Sequence, residues 1–204
     1  MKYPAIKSFY KGFWFRSKLE AQWAVFFDTI GVEWKYEEEG YNLPSGKGYL
    51  PDFKLKCWGK RGEIGTEPFD LYVEVKGEMT KEDYEKILEF SGFPSTLSYN
   101  DDEEAYIKTL ENMVPNLIVG DIPYIQDEDD LWDSYTFNCY GKDGFFNYET
   151  IDGDYFGAYP SVLDGKFFLM GDDCNYLAGD FDRLIKGYRT ARMARFDHGK
   201  GGAA

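Results

Sequence analysis

Residues 69–76 read FDLYVEVK, with Phe69, Leu71, Val73 and Val75 alternating with Asp70, Tyr72, Glu74 and Lys76. A period of two marks a β-strand with one face in a core. No other stretch constrains the fold as tightly, because the polar face of this strand closes on Glu-x-Lys just before Gly77. The acid and the lysine leave the same face about 7 Å apart along the strand. Neighbouring elements must supply partners for that charged pair.

The nearest upstream strand, YLPDFKLKCW, supplies one. Asp52, Lys54 and Lys56 fall on one face of it, with Phe53 and Leu55 on the other, and twenty-one residues separate Asp52 from Glu74. If the two strands are hairpin neighbours, Asp52 faces Glu74 across one ladder spacing. Two carboxylates that close repel, and one has its pKa raised unless a cation lies between them. Mg²⁺ (or Mn²⁺) resolves the conflict, since such an ion takes a few carboxylates and completes its shell with water and phosphate. Lys76 then stands beside the ion, placed to hold an attacking water and to offset charge developing on a phosphate.

The rest of the chain reads as a frame for this pair. Ser17 to Ile30 is a helix with the stripe Leu19, Trp23, Phe26, Phe27 and Ile30, stopped by Gly31. Ser17 and Glu20 have the spacing of a capping box. VEWKYEEEGYNL reads as one or two strands and PSGKG as a turn; GKRGEIGTEP reads as a loop. Thr80 caps a second helix, TKEDYEKILEF, that ends before Gly92; DDEEAYIKTLENM is a further helix candidate and NLIVGDIP a buried strand. This order predicts an α/β (α+β) fold, a central mixed β-sheet flanked by helices. Beyond residue 126 come short aromatic strands separated by GKDG, DGD and LDGK, an antiparallel meander. A last helix spans about 180–197, and the tail GKGGAA is expected to be disordered. The expected division is a core over 1–125, an acidic meander over 126–179, and a basic C-terminal helix with its tail over 180–204.

At 204 residues, with 43% hydrophobic and 19% aromatic side chains, the chain can bury a sizeable core. It has no apolar run of about 18 residues, so no membrane contact is expected. The N-terminal stretch MKYPAIKSFYKGFWF lacks the pattern of a signal peptide. Cys57, Cys139 and Cys174 lie far apart, which fits a reducing cytoplasm rather than a disulfide framework or a zinc cluster. The single histidine, His198, argues against histidine-rich metal sites and a Ser-His-Asp triad. The net charge of −14 is unevenly spread. Residues 101–180 hold nineteen acids against Lys108, Lys142 and Lys166, a balance of −16, which leaves +2 for the remainder. Lys2, Lys7, Lys11, Arg16 and Lys18 all precede the first acid, Glu20.

Pro51-Asp52 followed by Glu74-Val75-Lys76 at a strand end resembles the PD-(D/E)XK nuclease signature. RSKLEAQWAVFFDTIGV resembles the first helix of that fold, and ARMARFDHG near the C-terminus is similar to small phage and bacterial members. The likeness covers roughly residues 13–125 and the last helix. It implies a restriction-endonuclease-like core and a metal-dependent hydrolase cutting nucleic-acid phosphodiesters. By position, Asp52 and Glu74 would be metal ligands, with the carbonyl of Val75 and with Glu20 as further metal or catalytic residues, and Lys76 would be catalytic. DNA is the expected substrate, and an RNA-directed nuclease is an alternative.

Ordinary readings stand beside these. Glu20 lies at the margin of its helix's buried stripe, so it can cap the helix, join the site, or do both. Lys76 can be a solvated strand lysine paired with Glu74. Lys54, Arg16 and Lys18 are candidates for phosphate contact. Arg192 and Arg195 are expected to rotate onto the buried side of the last helix, where they need carboxylate or phosphate partners. Acids of the meander are the preferred partners, and nucleic acid the alternative. The segment 101–180 also permits a non-catalytic reading, in which its acids mimic DNA and occupy a host or phage protein.

Overall fold

The computed structural model describes residues 5–60, 63–92, 114–127, 130, 140–141, 144–145, 158–171 and 179–198. A four-stranded mixed sheet organises them. Its spine is an antiparallel pair, β6 (Phe53–Lys60) with β7 (Glu63–Val75), in which Phe53 faces Val73 and Leu55 faces Leu71. β3 (Trp34–Tyr36) borders β6, also antiparallel, and β8 (Asn116–Val119) runs parallel to β7. A parallel neighbour needs a crossover. Helix α2 (Lys81–Ser91) lies within it, opened by a Thr80–Asp83 capping box.

The expected strand YLPDFKLKCW is interrupted. β5 (Gly48–Tyr49) pairs only with β4 (Tyr41–Asn42), and β6 begins at Phe53. Pro51 has no N–H to give a ladder, so a proline inside a strand breaks the pairing there. Asp52 is thereby left at the mouth of β6. The opposite departure occurs at 59–68, expected as a loop. There the two strands continue as a long hairpin, with Gly59 facing Ile64 after a register shift near Cys57.

Helix α1 (Lys18–Ile30) turns Trp23, Phe26, Phe27 and Ile30 into the core and ends at Gly31. Full burial of a side chain of this size contributes about 1.5–3 kcal/mol. Trp23 also donates its indole N–H to the carbonyl of Gly120 at 2.8 Å, tying α1 to the loop after β8. Helix α3 (Phe181–Met193) packs on α1, and Tyr188 lies 4.4 Å from Phe26 between ring centres. The helices approach this closely because position 187 is glycine. A Cβ there would lie 2.8 Å from Cγ2 of Ile30 and 3.0 Å from the Phe26 ring. Gly187→Ala is therefore expected to destabilise the fold by about 1–3 kcal/mol, read as a shifted midpoint in urea unfolding.

The segment expected as one meander contains two separate hairpins among the described residues. One is β9 (Tyr140–Gly141) with β10 (Gly144–Phe145); the other is β11 (Ala158–Leu163) with β12 (Lys166–Gly171). Asp164 and Gly165 form the second turn, both at positive φ, as a tight hairpin of this type requires. Val162, Phe167, Phe168 and Leu169 join the same core as α1 and the sheet. The helix expected at 101–113 and the tail after 198 lie outside the described residues, as does most of the acidic segment. No described helix is long and apolar enough to cross a membrane.

At the N-terminal end, β1 (Ser8–Tyr10) and β2 (Phe13–Phe15) form a hairpin, and β13 (Asp197–His198) adds to its β1 edge. Phe15 is buried against Tyr36 and Phe53, so β2 delivers Arg16 and Ser17 to the start of α1 in a fixed position.

Candidate active site

Asp52, Glu74 and Glu20 are all buried, at 2%, 6% and 6% exposure. Buried carboxylates need donors, and here each has them. One oxygen of Asp52 accepts the N–H of Val75 at 2.7 Å, and the other meets the guanidinium of Arg16. Continuing the β6–β7 register by one residue sets Asp52 across from Glu74 on the same face of the sheet. Glu74 accepts the Tyr49 hydroxyl at 2.9 Å through Oε2, and its Oε1 lies 2.8 Å from Nζ of Lys76. Asp83, on the first turn of α2, holds the same ammonium from the other side at 3.2 Å. The strand residues 52, 74 and 76 therefore share one locus.

Glu20 enters differently from a standard capping box. The Ser17 hydroxyl accepts the N–H of Glu20 as expected, but the Glu20 carboxylate does not return to the backbone of Ser17. It takes the Ser17 hydroxyl at 2.7 Å, the Tyr36 hydroxyl at 2.6 Å and the N–H of Arg16 at 3.1 Å. Both of its oxygens are thus engaged in fixing the β2–α1 junction, so Glu20 supports Arg16. Tyr36 has its pKa raised by burial first and then by Glu20. Tyr36→Phe would leave a buried carboxylate short of a donor. It is expected to cost about 1.5–3 kcal/mol, measurable by chemical denaturation.

Electrostatics mark Asp52 as the strained member. Burial pushes its pKa up, the nearby charges of Glu74 and Glu20 push it further, and the Val75 N–H and Arg16 only partly offset them. Lys76 is opposed by burial, yet Glu74, Asp83 and Asp52 outweigh that and raise its pKa, so it remains an ammonium. Burial likewise opposes the charge of Arg16, and Asp52, Glu20 and Glu37 together overcome it. Arg16 Nε lies 2.7 Å from Glu37.

No known protein family, curated protein or solved structure matches this chain.

The site's own chemistry therefore carries the test for a divalent ion. Among the described residues, no three Asp, Glu, His or Cys side chains converge closely enough to hold an ion by themselves. A Mg²⁺ ion does not require three, since it commonly takes one or two carboxylates and keeps its waters. Asp52 and Glu74 offer such a pair of hard oxygen donors, and the raised pKa of Asp52 persists with Arg16 beside it. The locus holds more negative charge than its cations balance, so the residues present fit an added divalent ion.

The other named cations separate into groups. Lys54 pairs with Glu38 and lies 4.0 Å from Asp70, away from the acid pair, and Lys18 is exposed on the first turn of α1. Arg192 and Arg195 are exposed, which corrects the expectation that they turn to the core side. The helix ends at Met193, before Arg195, and the guanidinium of Arg192 leaves the surface to reach the carbonyl of Ile122 at 2.9 Å. Arg189 binds the carbonyls of Ile125 and Gln126 in the same manner. These arginines clamp the loop after β8 through its backbone, while Arg183 pairs with Asp180 at 3.2 Å. Tyr36, Tyr49, Glu37 and Asp83 were not singled out from sequence. Only Asp83 had a signal there, its three-residue spacing from Thr80.

Proposed function

We propose that the chain is a metal-dependent nuclease of PD-(D/E)XK type acting on nucleic acid, with DNA as the expected substrate. The observation supporting this reading is the joining of Asp52, Glu74 and Lys76 at one buried point on adjacent strands, with Asp52 bonded to the N–H that follows Glu74. The mixed sheet of β3, β6, β7 and β8, together with helices α1 and α2, supports the reading at the level of architecture, a mixed sheet with helices.

On this reading Asp52 and Glu74 hold Mg²⁺ or Mn²⁺, and the Val75 carbonyl is a third candidate donor. The ion, when bound, neutralises charge on the phosphate and makes water more acidic. Lys76 donates to the attacking water and to the non-bridging oxygens, where negative charge grows. Water oxygen bonds to phosphorus as one ester P–O bond breaks; the water's proton passes to solvent, and the departing oxygen takes a proton from solvent in turn. Arg16 is placed to bind a phosphate once the ion shares Asp52. Glu20 and Tyr36 position Arg16 rather than touch substrate.

The test is cleavage of labelled single-stranded, duplex and branched DNA, and of RNA, with Mg²⁺ or Mn²⁺ and with EDTA. Products that need the metal support the proposal. Intact substrates in every arm would remove it.

A further inference from the structure

Arg16 holds an oxygen that the ion needs. Its side chain is 53% exposed, yet its guanidinium covers Oδ1 of the buried Asp52. The other oxygen of Asp52 is committed to the N–H of Val75 at 2.7 Å. Oδ1 is therefore the oxygen left for a cation arriving from solvent. Around the same guanidinium, Nε lies 2.7 Å from Glu37 and 4.0 Å from Glu20, so three carboxylates surround one positive group. A guanidinium answers such charge through its hydrogen bonds, whereas Mg²⁺ answers it with twice the charge at a shorter distance. The two repel each other strongly if both stay on Oδ1.

The backbone of Arg16 is fixed while its side chain has room to turn. Its N–H donates to Glu20 at 3.1 Å and to the Tyr36 hydroxyl oxygen at 3.2 Å. An exposed side chain changes rotamer within nanoseconds. Glu37 supplies the second position. Its φ of 44° lies in the left-handed region, which a residue other than glycine enters at a cost and which collects at functional positions. Its N–H bonds the Asp52 carbonyl at 3.0 Å, so this turn is tied to the site.

Oε1 of Glu37 is buried and, among the described residues, is the side-chain oxygen without an aligned donor, although Nε of Arg16 is close by. A buried oxygen in that condition calls for an explanation. A guanidinium turned off Asp52 can satisfy Glu37 through one edge and present its remaining donors outward. Two parallel N–H groups displayed in that way fit a phosphate.

We infer that Arg16 is the resident counter-ion of the ion-free site, and that a divalent ion taking Asp52 releases its guanidinium onto Glu37, where it receives a phosphate diester. Ion and phosphate then bind cooperatively, the ion opening the arginine that grips the diester. This deepens the nuclease reading and rests on it for the phosphate's being part of a nucleic acid.

The experiment watches the guanidinium itself. In the full chain carrying isotope-labelled arginine, the Cζ–Nε signal of Arg16 is assigned by its loss in Arg16→Lys. Spectra are taken in EDTA and through a Mg²⁺ titration, at alkaline pH where the ion competes best with the Asp52 proton. The Arg16 signal is expected to move saturably with Mg²⁺, in step with the melting temperature, and to stay still in Asp52→Asn. Dimethyl phosphate, a diester of the substrate's class, should then shift it only when Mg²⁺ is present. By linkage the diester should tighten Mg²⁺ binding about fivefold or more in calorimetry, and Arg16→Gln should lose most of that gain. An Arg16 signal unmoved at saturating Mg²⁺ overturns the inference. So does an equal diester response in EDTA, or an unchanged gain in Arg16→Gln. The wild-type spectra decide even if Arg16→Gln proves unstable. Release of Arg16 with no nucleic acid cut in any metal leaves the exchange standing and removes the nuclease. Metal-dependent cleavage beside an unmoved Arg16 does the reverse.

Discussion

Lys76→Ala is expected to slow metal-dependent cleavage about 10²- to 10³-fold, the effect of removing one charged donor from a transition state. The ammonium is fixed between Glu74 at 2.8 Å and Asp83 at 3.2 Å, so it is ordered before substrate arrives. Its raised pKa keeps it charged across the working range. Loss of the side chain should cost only about 1–2 kcal/mol in stability, because Tyr49 still serves Glu74 and Thr80 still serves Asp83. Single-turnover rates on the best substrate, measured beside an unfolding curve, separate the two effects. A variant that cuts as fast as wild type while folding normally would show that the lysine serves structure alone.

Divalent metal should stabilise the chain, and more so at higher pH. An aspartate titrates near 3.9 in an unfolded chain, and Asp52 in the fold is pushed up to about 8 by burial and by its acid neighbours. Between those values the native state holds the extra proton, so metal-free stability falls as pH rises, by at most about 1.4 kcal/mol per pH unit. Mg²⁺ competes with that proton. Its binding strengthens over the same interval and reaches a constant level above the folded pKa. At a hundred times its dissociation constant the ion adds about 2.7 kcal/mol. Melting curves from pH 6 to 9, with Mg²⁺ and with EDTA, should diverge as pH rises. Asp52→Asn should flatten the metal-free slope and abolish the divergence. A wild-type melting temperature indifferent to Mg²⁺ at every pH would count against an ion at Asp52 and Glu74.

What could be read in advance was whatever depended on local rules. The period of two at 69–76, the stops at Gly31 and Gly92, and the LDGK turn each follow from a few adjacent residues, and the corresponding elements form. The cross-strand approach of Asp52 and Glu74 was also legible, because one hairpin sets it. Contacts joining distant segments were not. Tyr36 and Tyr49 reach Glu20 and Glu74 only after β3 and the β4–β5 hairpin have docked, and no spacing announces that. The long β6–β7 hairpin was hidden by the glycine-rich look of GKRGEIGTEP, which resembles a loop, although Gly59 and Gly65 lie in β6 and β7. Arg195 was misplaced because an ideal wheel continues past Met193, where the helix stops, and Arg192 because its side chain reaches out to the Ile122 carbonyl instead of turning to the core.

The clasp between α1 and α3 joins segments far apart in sequence: the amide of Gln22 donates to the carbonyl of Ala191 across 169 positions. During synthesis the first helix therefore emerges with its Trp23 and Phe26 rings bare toward α3, and that cover arrives only once Tyr188 has been made. Non-local closure of this kind slows assembly and lengthens the interval in which sticky surface is open to other chains. A ribosome-bound nascent chain that does not yet include α3 would accordingly be a client for chaperones, however stable the folded state is.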